Sequence, residues 1–129
     1  MGHAECICNS GKAFTLCCEP FLSGKKLAKT PVQLMRSRFS AFALGGYGQY
    51  LLDTWGEAYR TGLNIDDLSL RSTDWFSLDI LAKSQRGDNG VVEFKAHYRN
   101  VDGNDEVHHE RSLFKREGGC WFYTIGEVI

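Results

Sequence analysis

Four of the five cysteines lie within thirteen residues, as Cys6, Cys8, Cys17 and Cys18. The spacing C-x-C-x8-C-C lets four thiolates close a tetrahedral shell around one zinc ion. A shell filled by four protein ligands keeps no open position for water or substrate, so the pattern predicts a structural metal. Asn9, Ser10 and Gly11 follow the first pair and can turn the chain so that N–H groups face the anionic sulfurs. Ser10 is also placed to cap a short helix that delivers Cys17 and Cys18. The fifth cysteine, Cys120, stands alone after a turn and reads as a small apolar residue. An odd total without an export signal argues against a disulfide framework.

A second group of polar residues is His108-His109-Glu110-Arg111-Ser112, in a stretch flanked by strand patterns. A two-residue turn at Gly103-Asn104 pairs Phe94 with Leu113, Ala96 with Arg111 and Tyr98 with His109. That register predicts His109 and Arg111 on the face covered by helices, with Glu110 opposite His97 on the other face. Arg38 raises the same question, because it lies beside an apolar stripe formed by Met35, Phe39 and Phe42. Buried arginine and histidine must be paired, hydrated or functional. The candidate pocket is therefore Arg38, Trp55, Tyr98, His109 and Arg111, with His109 as acid or base and Arg111 as an anchor for an anionic or carbonyl ligand. The competing reading is a structural polar network, or side chains that reach the rim.

The elements that must hold these residues can be read from periodicity. Thr30-Pro31 is a helix start, Val32, Met35, Phe39 and Phe42 recur at helical spacing, and Gly45-Gly46 ends the run, giving a helix at about 31–44. A second helix is predicted at about 47–58 and a short third one at 64–72. From Trp75 the pattern changes: Val92, Phe94, Ala96 and Tyr98 alternate with polar residues. Turn signals at 87–90, 102–105 and 117–119 divide residues 75–128 into four antiparallel strands. Helices followed by a meander is an α+β order. Ser23-Gly24-Lys25-Lys26 is a linker, which separates a knuckle at 1–24 from a domain at 30–129.

With 129 residues, the chain has room for one domain and a small appendage. A net charge of −1 and a pI near 6.4 argue against a general nucleic-acid binder. The N-terminal part up to Arg38 carries six basic and two acidic residues, and the rest nine and fourteen. A bound Zn(thiolate)4 group would remove about two units from that positive end. No apolar run approaches the ~20 residues of a membrane span, and the cysteine-bearing start is not a secretory leader, so the expected compartment is the cytoplasm.

Cys6-Ile7-Cys8-Asn9-Ser10-Gly11-Lys12 with Cys17-Cys18 resembles the SEC-C motif, the zinc knuckle at the C-terminus of the SecA translocation ATPase. The usual motif reads C-P-C-G-S-G-K; Ile7 and Asn9 replace Pro and Gly, and neither change removes a ligand. The wider chain resembles the YchJ-type family of small bacterial proteins. The stretches that carry the likeness are Thr30-Pro31, Leu34 to Phe42, Tyr50-Leu51, Thr54-Trp55, Val92 to Phe94, His108 to Ser112 and Trp121 to Tyr123. The resemblance implies a knuckle followed by a cone-shaped domain of the nuclear-transport-factor-2-like (cystatin-like) type. That fold class hosts isomerases, dehydratases and modules without catalysis, so fold alone does not fix function. The closed cysteine quartet favours a non-enzymatic binding or adaptor module whose knuckle docks a protein partner. The alternative is an isomerase- or dehydratase-like enzyme, or a small-molecule receptor, built around His109 and Arg111.

Overall fold

The computed structural model describes residues 4–129. Helix α1 covers Glu19–Leu22, α2 Pro31–Leu44, α3 Gly48–Asp53 and α4 Ile65–Ser69. Strands β1 (Asp74–Arg86), β2 (Asn89–Arg99), β3 (Asp105–Glu117) and β4 (Cys120–Val128) follow. They form one antiparallel sheet in the order β1-β2-β3-β4. Residue slips in the β1–β2 pairing, and one between β3 and β4, bend the sheet into a trough around α2. The α+β class and the helices-then-sheet order are as the sequence predicts.

The start of α2 is chemically explicit. The Thr30 side chain accepts from the Gln33 N–H at 3.1 Å, Pro31 occupies the first turn, and Gly45 ends the helix at φ 75°. Between those ends α2 is buried on almost every side. Leu34, Met35, Phe39, Ala41 and Ala43 are buried, and so are Ser37, Arg38 and Ser40. The sheet covers one side, α3 another, and the cysteine segment a third. Cys6, Cys8, Cys18 and Leu22 belong to the same hydrophobic core as Leu34, Leu78, Phe94 and Trp121. The knuckle is thus laid onto the domain that follows it.

Helix α3 is shorter than its predicted 47–58. Thr54 Oγ turns back onto the Tyr50 carbonyl at 2.8 Å, and the chain then leaves the helix to meet β4. The Gly56 N–H donates to the Tyr123 carbonyl at 2.7 Å, and the Tyr123 N–H to the Thr54 carbonyl at 2.9 Å. Trp55 and Tyr123 form a parallel bridge. Sheet pairing here displaces the last part of the predicted helix, residues 54–58, which is somewhat more than one turn.

The β2–β3 hairpin corrects the predicted register. The connection is Asn100–Asn104, not a two-residue turn at Gly103-Asn104, because Arg99 pairs with Asp105. The Asn100 side chain accepts from the N–H groups of Asp102 and Asn104, at 2.9 and 3.0 Å, and holds the wider loop. Phe94 therefore faces Glu110, and Ala96 faces His108. The change in pairing is an odd number of residues, so every β3 side chain exchanges faces. His108, Glu110 and Ser112 point toward α2. His109 and Arg111 point outward, where His109 Nε2 lies 2.8 Å from Glu93 and Arg111 is exposed. Arg111→Ala should accordingly change stability by no more than about 0.5 kcal/mol. On the covered face the same truncation would cost about 3–5 kcal/mol, and a urea melt distinguishes the two.

Candidate metal centre and cone cavity

The cysteine segment folds as one tight loop. Asn9 takes φ 64° and Gly11 φ 85°, and Asn9 is the non-glycine residue with left-handed backbone among the described residues. The Cys6 N–H donates to the Lys12 carbonyl at 2.8 Å, closing the loop. Ser10 does not cap a helix as predicted. Its Oγ accepts from the Lys12 N–H and lies 3.0 Å from Cys17 Sγ, and a 3₁₀ turn at Phe14–Leu16 leads into Cys17.

The four predicted sulfurs come together. All lie within 4.8 Å of one another, with Cys8–Cys17 at 3.5 Å and Cys17–Cys18 at 3.9 Å. A tetrahedral ion with metal–sulfur bonds of about 2.3 Å sets sulfur–sulfur edges of about 3.8 Å, so the set fits a four-coordinate metal. Thiol donors from Cys18 and Cys6 stabilise the thiolate of Cys8, whereas burial pushes the Cys17 thiol up to about 11. The arrangement could hold a metal ion. Helix α2 supplies its surroundings: Arg36 donates to the Cys8 carbonyl at 2.8 Å, and Ser40 Oγ lies 3.6 Å from Cys6 Sγ.

On the opposite side of α2 lies a cavity of about 240 Å³, between the helix and the inner face of β2, β3 and β4. Met35, Phe39, Phe42, Trp55, Trp75, Phe94 and Ala96 supply its apolar wall. Its polar groups are Arg38, His108, Glu110, Ser112 and Tyr123. Of the residues predicted for the pocket, Arg38 and Trp55 line this cavity. Tyr98 is on the covered face but packs edge-on against Trp75 at 5.1 Å, outside the lining. The other two predicted residues, His109 and Arg111, are replaced by their neighbours.

Arg38 is only 3% exposed. Its Nη1 donates to the Leu51 carbonyl at 2.8 Å and to Thr54 Oγ at 2.7 Å. Its Cζ lies 4.6 Å from the Trp55 ring and 4.8 Å from Tyr123, a cation–π setting. No carboxylate pairs with it among the described residues. Burial brings its pKa down to about 10, against small opposing effects from Tyr123, Tyr50 and Glu110, so it remains a cation at neutral pH.

Glu110 is held differently. Its Oε1 lies 2.8 Å from His108 Nε2, and its Oε2 accepts from Ser112 Oγ and, at 3.4 Å, from the Tyr123 hydroxyl. Burial first, and Glu110 second, push the Tyr123 phenol up to about 12, so it stays protonated and donates. The carboxylate fits because residue 126 is glycine. A β-carbon there would occupy the space of Glu110 and crowd the Tyr123 hydroxyl.

Sequence reasoning missed His108, Glu110, Ser112 and Tyr123. Leu113 and Phe114 are adjacent and offer both alternations. Phe114 is the buried one, and choosing it would have turned Ser112, Glu110 and His108 inward.

A curved sheet closed by helices over a mixed apolar and polar cavity defines an NTF2-like domain. The family model described as YchJ, middle NTF2-like domain, matches residues 30–126. A UPF0225 protein of Corynebacterium glutamicum is 39% identical over 128 residues, covering 96% of this chain and 97% of its own. Another, from Sodalis glossinidius, is 40% identical over 135 residues, covering 98% and 85%. The solution structure of a SEC-C motif containing protein from Rhodopseudomonas palustris superposes with a TM-score of 0.87 at 36% identity, covering 96% of this chain and 98% of that one. A crystal structure of a SEC-C motif containing protein from Psychrobacter arcticus gives 0.82 at 27% identity, covering 100% and 84%. The chain belongs to the YchJ family, with its cysteine cluster in the position of a SEC-C knuckle. No helix among the described residues is long and apolar enough to cross a membrane.

Because the Glu110 carboxylate fills the space beside Gly126, Gly126→Ala should expel it. The expected cost is about 1–3 kcal/mol. The His108 ring resonances should move in the NMR spectrum while those of the outward-facing His109 stay in place.

Proposed function

We propose that the protein is a zinc-clasped binding protein for a small organic anion. The observation that carries the reading is Arg38: a buried cation on the wall of an apolar cavity, bonded only to neutral oxygens. A desolvated guanidinium without a counter-ion is costly, and an anion entering the cavity would offset that cost. The cavity of about 240 Å³ suits a ligand smaller than most drug-sized molecules, with a flat or branched apolar body. A small aryl or alkyl carboxylate meets both requirements, since guanidinium binds carboxylate in a fork.

In this reading zinc occupies Cys6, Cys8, Cys17 and Cys18 and is structural. It holds a segment too short to build a core of its own against α2, whose other side carries Arg38. The reading also assigns the protein to the cytoplasm, where thiols stay reduced. A second role, docking of a protein partner through the knuckle, is favoured by Leu16 and Leu27. They are 76% and 68% exposed, and Leu16 sits in the turn between the two cysteine pairs.

Protein purified without added metal should contain about one zinc per chain by elemental analysis. Chelation should release residues 4–24 and lower the melting temperature of the remaining domain, because Cys6, Cys8, Cys18 and Leu22 share its core. Reduced, metal-free protein with an ordered knuckle would refute the clasp.

A panel of benzoate, phenylacetate, phenylpyruvate and hexanoate, titrated into labelled protein, should shift resonances of Trp55, Trp75 and His108. Arg38→Met keeps the length and apolar stem of the side chain and removes the charge. It should weaken the best binder about 10–100-fold, the equivalent of one charge-assisted hydrogen bond. No shift with any member, or equal affinity in the variant, would overturn the proposal.

A further inference from the structure

We infer that the His108–Glu110 pair makes the cavity a proton-transfer site, acting on small 2-oxo acids that carry an acidic C–H next to the carbonyl. The inference rests on the anion-binding reading above and goes beyond it, from holding a ligand to changing it.

Oε2 of Glu110 accepts from two hydroxyls, Ser112 and Tyr123, and Tyr123 is kept protonated by its burial. A carboxylate surrounded in this way accepts at Oε1 as well, so the proton of the 2.8 Å contact sits on His108 Nε2. In the neutral imidazole that proton fixes the tautomer, and the lone pair is left on Nδ1. A carboxylate behind one ring nitrogen, with the other free, is the arrangement that orients an imidazole as a general base and stabilises the imidazolium it becomes. Trp75 and Phe94 hold the ring, with centroids at 6.1 and 6.3 Å. The other half of the chemistry is Arg38 on the facing helix, a preorganised cation on a largely apolar cavity wall.

The step balances without a cofactor. His108 Nδ1 takes the proton from the carbon adjacent to the carbonyl, and the C–H pair becomes the new C=C bond. The carbonyl π pair moves to oxygen, forming an enolate whose charge Arg38 offsets. The imidazolium then returns a proton, either to the enolate oxygen, giving the enol, or to carbon. In D₂O the returned proton is a deuteron. His108 is the catalytic residue, and Glu110 is a positioning residue that acts through it.

Phenylpyruvate is the probe, because it offers a carboxylate, an aromatic body and an acidic C3–H. The zinc-loaded chain is mixed with it in D₂O, and loss of the C3 proton signal is followed by NMR against buffer alone. Catalysed exchange is expected. His108→Gln should slow it about 10²–10⁴-fold, the usual worth of a positioned base, while phenylpyruvate still binds. Glu110→Gln should lower kcat about tenfold or more with KM little changed, a split that general loosening of the fold would not produce. Amide spectra of both variants confirm that they fold. Phenylpyruvate bound but exchanging no faster than in buffer, or exchange unaltered in His108→Gln, overturns this inference and leaves the anion-binding reading standing. Failure of the whole carboxylate panel to bind overturns both.

Discussion

The guanidinium of Arg38 is the point on which the architecture turns. Its Nη1 donates to the Leu51 carbonyl at the end of α3 and to Thr54 just beyond. The Leu51 carbonyl is one that a helix C-terminus leaves without an intrahelical N–H, and a cation there also meets the favourable end of the helix dipole. Terminating α3 at this point frees Trp55 to bridge to Tyr123 on β4. Trp55 and Tyr123 then stack edge-to-face at 5.3 Å and close the end of the cavity around the same guanidinium. One buried side chain thus joins a helix end, a strand contact and a cavity wall.

The polar residues of α2 follow a division of labour that its apolar stripe alone does not reveal. Arg36 and Ser40 face the cysteine loop, Ser37 bonds to the Tyr50 hydroxyl and the Leu34 carbonyl, and Arg38 faces the cavity. No buried polar side-chain atom among the described residues lacks a partner. A helix covered on three sides leaves little solvent face on which these residues can simply be hydrated, so each must find a specific partner. The cysteine cluster and the cavity therefore lie on opposite sides of the same fourteen-residue helix.

What could be read in the sequence was local. The cysteine set, the Thr30-Pro31 start and the Gly45-Gly46 stop depend on neighbours a few residues away, and all appear at the predicted positions. Arg38 was legible as an exception to its helix's apolar pattern, and Trp55 as an aromatic near it. The end of α3 was not legible, because what stops it is a bridge to a strand nearly seventy residues later. The β2–β3 loop was misread because Asn100, rather than Gly103-Asn104, organises it. The consequence was large because strand faces alternate: one wrong loop length exchanged His109 and Arg111 for His108, Glu110 and Ser112. Tyr123 is not legible because a Trp-Phe-Tyr run gives no alternation that assigns a face.

The two charges in the cavity argue against a purely structural network. At 4 Å and an effective dielectric near 20, opposite charges attract by about 4 kcal/mol. A network built for stability would place Arg38 on Glu110 and gain that energy. Instead, each is satisfied separately. Arg38 is held by a carbonyl, a hydroxyl and aromatic faces from α3 and β4, and Glu110 by a histidine, a serine and a tyrosine from β3 and β4. No ion pair joins the cation and the carboxylate, and Tyr123 stands against both. That separation gives the cavity a polarity, and under the proposed function it would draw a ligand's anionic end to α2 and leave its reactive carbon toward His108 on β3.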